Sequence, residues 1–249
     1  LSSTGRLLLT SSGLVSRAMQ LTANDLYQRA AQDTKSTSCI YIIDALLEPR
    51  QNASSEQEES SSSFVQRMTK SMQREWQSIT ASSDTSPLII GVELATLLDG
   101  GAANLLDDAA CVYLEQGNTY YLLYQLRRTG LDQAIVERFF PRGGLLVGAS
   151  AGSIVAGHTI RTCEWKNWDD PGHGTWWDCR KLPTALQGLD LMDGSVGRSV
   201  FPHHSPRWDR RVQEMLHLHP EGVVILDEEQ FYVQGGGITT TEGVGCVKK

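Results

Sequence analysis

The chain has 249 residues, 40% of them hydrophobic and 20% charged, which suits one sizeable folded domain with a substantial core. Its formal net charge is −7 and no basic run interrupts the acidic balance, so neither a nucleic-acid groove nor a polybasic membrane patch is expected. No apolar stretch approaches the roughly 20 residues of a spanning helix, and the opening LSSTGRLLLTSSG lacks the leader of a signal peptide.

Short apolar runs alternate with stretches of helical periodicity. RLLLTSSG (6–13) reads as a buried strand, MQLTANDLYQRAAQ (19–32) as a helix and CIYIIDALL (39–47) as a second strand. NASSEQEESSSS (52–63) is polar and low in complexity, a surface insertion with no catalytic role. FVQRMTKSMQREWQSI (64–79) is helical, PLIIGVEL (87–94) and ACVYLE (110–115) are strands, and NTYYLLYQLRRTG (118–130) and LDQAIVERFF (131–140) are helices. GGLLVGAS (143–150) is a further strand. CEWKNWDDPGHGTWWDCR (163–180) carries four of the six tryptophans and reads as a packed loop, either a substrate wall or a satellite hydrophobic cluster. GRSVFP leads into PRWDRRVQEMLHL (206–218), a helix, and GVVILDEE (222–229) is the last strand.

The alternation predicts a single α/β domain over residues 1–249: a mostly parallel sheet with helices on both faces, as a three-layer sandwich. Reactive groups in such sheets gather outside the carboxyl ends of the strands. Cys39 and Cys111 lie in apolar runs and behave as small hydrophobes, and Cys246 is remote from both. Cys163 and Cys179 flank the tryptophan-rich loop and would bridge only in an oxidising compartment; a reducing, cytoplasmic location is expected. The first residue is not Met, which is compatible with a leader removed upstream.

Gly148, Ala149, Ser150, Ala151 and Gly152 fit Gly-x-Ser-x-Gly, the nucleophile elbow in which a strand turns sharply into a helix and exposes a serine oxygen. A serine hydroxyl needs a base and donors for the developing oxyanion. His158 lies too far along the following helix, and His217 and His219 suit a helix C-terminus. FPHHSPRW (201–208) delivers His203 and His204 to a strand end just before a helix, matching the topological position of Ser150. The carboxylate that orients the imidazole is Glu164 or Glu228, with Asp227 and Glu229 suitable on chemistry alone; spacing does not separate them. The Ala151 N–H opens a helix and is unpaired, and the turn Gly117-Asn118-Thr119 offers a second donor. The adjacent histidines lack a second pair at zinc-like spacing, so neither a metal nor an organic cofactor is expected.

QGNTYYLLYQLRRTGLDQAI, GGLLVGASAGSIVAGHTIRT, FPHHSPRWDRRV and VVILDEEQFYV together resemble the aspartyl dipeptidase (peptidase E) and cyanophycinase family of serine peptidases over roughly residues 105–240. The resemblance implies a class I glutamine amidotransferase-like α/β fold, Ser150 as nucleophile, His203 as base and Glu228 as the preferred acid, with Glu164 the alternative. It further implies cleavage beside an aspartyl residue, with Arg207 (reserves Arg210 and Arg211) taking a substrate carboxylate, as a bidentate guanidinium can. Oxyanion donors fall on Ala151 and on Gly117 or Asn118. A small peptide or aspartyl-containing polymer is the implied partner, and a homodimer is compatible with it.

Glu115-Gln116 departs from the family's glycine-rich turn and is expected to bring bulk and charge near the site. That departure supports a rival reading, an inactive binding protein that keeps the fold. The enzymatic rival is an α/β-hydrolase esterase, whose order Ser, acid, His would be met by Ser150, Glu164 and His203.

Overall fold

A computed structural model describes residues 5–47, 60–83, 85–102, 104–181, 186–194, 198–235, 238–240 and 245–247. The main sheet has seven strands: β1 (Arg6–Thr10), β2 (Ser38–Ile42), β3 (Leu88–Val92), β4 (Ala109–Leu114), β5 (Leu145–Ala149), β8 (Phe231–Gly235) and β9 (Ile238–Thr240). Their order is β3-β2-β4-β5-β1-β8-β9. The first five are mutually parallel; β8 and β9 run antiparallel. A separate three-stranded sheet, β10-β7-β6, is built from β6 (Ser199–Phe201), β7 (Val223–Ile225) and β10 (Gly245–Val247).

Both faces of the main sheet are covered, as the buried strands require. Helices α1 (Arg17–Thr34) and α2 (Ser61–Ile79) bury Leu26, Tyr27 and Trp76 against Leu8, Tyr41 and Val147 on one face. On the other, α3 (Thr119–Thr129), α4 (Leu131–Ala134, continued by a wider turn over Ile135–Phe139) and α5 (Ala151–Ala156) pack Leu122, Leu126, Phe139 and Val155 on Leu7, Val112 and Leu146. The fold is therefore the expected three-layer α/β sandwich. Local signals set the helix ends: the Ser16 hydroxyl accepts the Met19 N–H (3.2 Å), and Gly130 closes α3 at φ 73.

Two expectations need correction. The run 222–229 is not a strand of the main sheet, because β7 belongs to the second sheet and the place beside β1 is taken by β8, with β9 at the edge. The insertion ends earlier than its composition suggests: residues 52–59 lie outside the described residues, but Ser61–Ser63 already form the first turn of α2, with the Ser60 hydroxyl accepting the Ser63 N–H (3.3 Å). His219 does cap the helical turn Leu216–Leu218, as expected, but it is buried there edge-on to Trp165, with Nδ1 2.7 Å from Glu221 Oε1.

The tryptophan-rich segment divides between its two readings. Trp177 joins the main core and Trp165 a small cluster with Phe201, Val212 and Ile225, whereas Trp168 is half exposed beside His203. Cys163 and Cys179 are buried thiols with no disulfide between them. No helix among the described residues is long and apolar enough to cross a membrane.

Candidate active site

β5 lies between β4 and β1, so its carboxyl end is flanked by Glu115-Gln116-Gly117 and by Ser11-Ser12. Ser150 follows β5 directly and caps α5 at φ 48, ψ −102. A non-glycine residue at positive φ is strained and persists only where its surroundings hold it. Here the Ser150 N–H donates to the Thr10 carbonyl (3.0 Å), and the Ser153 hydroxyl, bound to Thr10 and Gly148, ties the first turn of α5 to the strands. Gly152 has a steric reason: a Cβ there would overlap the Leu114 carbonyl, so any side chain would push the helix off the sheet.

The base and the acid come from the second sheet. β6 and β7 are parallel neighbours, so the residues beyond their ends, His203 and Glu228, lie side by side. His203 Nε2 is 2.8 Å from Ser150 Oγ, and Nδ1 is 2.7 Å from Glu228 Oε1. The Ser12 hydroxyl donates to the other Glu228 oxygen. Partial burial works to raise the Glu228 carboxyl, but the hydrogen bonds from Ser12 and His203 and the charges of His203 and Lys166 outweigh it and hold the group below its ordinary value. The Ser11 hydroxyl accepts the His203 N–H (2.9 Å) and donates to the Leu226 carbonyl (3.1 Å), joining the two sheets at the site.

The other candidates separate. Glu164 accepts from the Tyr120 hydroxyl (3.1 Å), so the structure does not bring it to His203, and the Ser-acid-His order of an esterase has no acid in place. His204 turns to Asp209 (3.0 Å) and His158 to Asp190 (3.2 Å). Asp227 accepts the N–H groups of Glu229 and Gln230, both 2.9 Å away. The Asn118 N–H is occupied by the Ala45 carbonyl (2.8 Å), and the Asn118 side chain caps α3 at Tyr121 (2.9 Å) and reaches the Asp170 carbonyl (2.7 Å). Asn118 therefore positions the turn rather than offering an oxyanion donor. Gly117 sits at φ 128 with the Ala45 carbonyl where a Cβ would be, and its N–H has no partner among the described residues. The Ala151 N–H is likewise unpaired.

Arg207 lies beside two tryptophans, its guanidinium carbon 6.0 Å from the Trp168 ring and 5.2 Å from Trp208. Arg210 instead pairs with Glu214 (2.8 Å), and Arg211 donates to the Trp165 carbonyl (3.3 Å). Glu115 does not intrude. Its carboxylate is buried, accepts from the Tyr41 hydroxyl and the Gln116 N–H (2.9 Å), and is raised by desolvation. The structure thus removes the motive for an inactive protein.

Beside Ser150 a cavity of about 30 Å³, room for about one water, is lined by Thr119, Cys163, Lys166, Trp168 and Asp169 among others. Asp169 accepts the Thr119 N–H (3.1 Å); burial raises its carboxyl, opposed by the Thr119 bonds and the charges of Lys166 and His203. Lys166, Asp169, Ser11 and Ser12 escaped the sequence reading. The two serines were findable, since Ser11 directly follows β1, whose carboxyl end lies beside that of β5. Nothing local marks Lys166 within its loop. Among the described residues no three His, Cys, Asp or Glu side chains gather as metal ligands would.

Comparison with known proteins finds peptidases. An uncharacterized peptidase of Listeria innocua is 37% identical over 154 residues, 57% of this chain and 67% of that one. A peptidase E of Escherichia coli is 29% identical over 173 residues, 68% of each chain. The crystal structure of a peptidase from an acI-B1 Actinobacterium superposes with a TM-score of 0.61 at 19% identity, covering 99% of this chain and 88% of that one, and so shares its fold. The model of peptidase family S51 matches residues 7–241, well beyond the 105–240 that carried the resemblance in the sequence. The chain belongs to peptidase family S51.

Proposed function

We propose that the protein is a serine peptidase that cleaves a peptide or isopeptide bond at an aspartyl residue, as an aspartyl dipeptidase or a cyanophycinase-like exopeptidase. One observation carries the reading: a strained serine, an imidazole and a carboxylate in continuous hydrogen-bond contact at 2.8 and 2.7 Å. Ser150 Oγ attacks the carbonyl carbon while His203 Nε2 takes its proton; the same nitrogen then protonates the leaving amine, and water repeats the sequence on the acyl-enzyme. Glu228 holds Nδ1 and offsets the imidazolium charge. The N–H groups of Ala151 and Gly117 receive the oxyanion, where one donor is typically worth about 10²–10³ in turnover.

Support for an aspartyl residue is positive charge close to the serine: Lys166 lines the cavity beside Ser150, and Arg207 lies against Trp168, a wall of that cavity. The experiment is hydrolysis of α- and β-aspartyl dipeptides, with alanyl dipeptides as controls, by the wild type and by Ser150→Ala. Hydrolysis confined to aspartyl substrates and lost in Ser150→Ala supports the reading; equal rates in both proteins would end it.

A further inference from the structure

His203, like Ser150, sits at a positive φ. Its φ of 53 lies where residues other than glycine rarely settle, and such a conformation lasts only when neighbours over-determine it. Two groups do so from opposite sides. The Ser11 hydroxyl accepts the His203 N–H, and the Lys166 ammonium donates to the carbonyls of both Pro202 and His203, the latter at 3.1 Å. Aromatic rings hold the ammonium there: its nitrogen is 4.4 Å from the ring centre of Phe201, 4.5 Å from Trp168 and 5.7 Å from Trp208. Packing alone does not call for a charge among three rings. An apolar side chain of the same length would fill the space without the desolvation cost of an ammonium.

We propose that Lys166 is a positioning residue: by pinning the carbonyls of Pro202 and His203 it fixes the imidazole between Ser150 and Glu228. The proposal rests on the serine-peptidase reading of those three residues. It also carries a pH signature. Burial pushes the Lys166 amine down to about 8, with Glu228 beyond β7 and Asp169 on its own loop favouring the proton and Arg207, from the turn before the helix Asp209–Met215, opposing it. Above that pH the two charge-assisted bonds become ordinary ones, and the activity declines although Ser150, His203 and Glu228 are intact.

The test uses Lys166→Met and Lys166→Arg. Three measurements are made on each: the rate of Ser150 labelling by a fluorophosphonate, which needs no peptide specificity; the low-field proton resonance of the His203–Glu228 hydrogen bond; and the thermal midpoint. Lys166→Met should slow labelling about 10- to 100-fold, the size of a charge-assisted hydrogen bond. It should also weaken the low-field resonance and leave the midpoint unchanged or higher. On a cleaved dipeptide kcat should fall, with KM within about threefold. Lys166→Arg should restore most of the labelling and move the basic limb of its pH profile upward, because a guanidinium keeps its proton.

A midpoint that falls in step with labelling overturns the proposal in favour of a merely structural lysine, and a KM that rises at unchanged kcat overturns it in favour of a substrate contact. An unaltered resonance in Lys166→Met, or no such resonance in the wild type, also overturns it. If wild-type Ser150 resists labelling while the resonance is present and depends on Lys166, positioning stands and the hydrolase reading fails. If labelling succeeds and no aspartyl peptide is cut, only the substrate assignment fails.

Discussion

Replacing Glu228 by Gln keeps the side chain's shape and removes its charge, which isolates what the carboxylate does for His203. As Ser150 attacks, the imidazole becomes an imidazolium, and a neighbouring carboxylate lowers the energy of that charge; a buried aspartate in this role is worth about 10⁴ in kcat. Glu228 is placed differently. Its side chain is 56% exposed, whereas that of His203 is 19% exposed, so water screens the pair from one side. The loss should therefore be that of one screened charge-assisted hydrogen bond at 2.7 Å, at most about 1.5–3 kcal/mol, or about 10- to 100-fold in kcat. Glu164→Gln should change the rate less than about threefold, since Glu164 only accepts from Tyr120 at 3.1 Å. Both variants are compared by fluorophosphonate labelling and by kcat on an aspartyl dipeptide. A Glu164→Gln enzyme slowed tenfold beside an unimpaired Glu228→Gln enzyme would refute the assignment. A 10⁴-fold loss in Glu228→Gln would refute the screening argument instead.

Arg207→Met should raise KM for aspartyl substrates roughly tenfold with kcat within about threefold, because the guanidinium lies beside Trp168, a wall of the cavity at Ser150, rather than at the reacting atoms; the same substitution at Arg210, already paired with Glu214, should leave both constants unchanged. Gly117→Ala should lower stability by at least about 1–3 kcal/mol in thermal unfolding, since φ 128 and the Ala45 carbonyl both exclude a Cβ; an unchanged midpoint would show that the turn relaxes easily. Stability should also rise as pH falls from 8 to about 5.5. Burial pushes the Asp44 carboxyl from 3.8 to about 6, against the N–H bonds of Leu94 and Ala95. The folded state thus binds a proton that the unfolded state has released; the contribution of about 3 kcal/mol is complete only below 3.8 and is lost as pH rises through 6, so roughly 1 kcal/mol of it returns between pH 8 and 5.5. Glu75, Glu115, Asp132 and Asp169 are raised by burial with the same sign, and Glu221 and Glu228 act the other way. A midpoint that falls or stays flat over this range would contradict the balance.

Much of the sandwich was legible because its signals are local. A strand buried on both faces must be a continuous apolar run, and LLLT, CIYI, ACVYL and LLVGA have no other comfortable conformation. The Gly-x-Ser-x-Gly pentapeptide was equally readable, because the close approach of Gly152 to the Leu114 carbonyl and the sharp turn at Ser150 are properties of adjacent residues. Placing VVI in the wrong sheet shows the limit: three apolar residues carry no mark of which strands they will pair with, and β8, read only as a late segment of a family likeness, took the place beside β1. Asn118 failed as an oxyanion donor for a related reason. Its N–H is consumed by Ala45, 73 positions earlier, and no pattern around Asn118 announces that carbonyl.

The two sheets explain why the site is strained where it is. Ser150 ends a strand of the main sheet and His203 a strand of the small one, and both residues sit at positive φ. Ser150 is held within the main sheet by Thr10, the last residue of β1, and the next residue, Ser11, reaches across the junction to bond both His203 and the Leu226 carbonyl beyond β7. The 2.8 Å contact between Oγ and Nε2 therefore depends on the distance between sheets as much as on either residue. Removing the Ser11 hydroxyl loosens that distance without touching a reacting atom, so Ser11→Ala should slow acylation more than its small effect on the thermal midpoint would suggest.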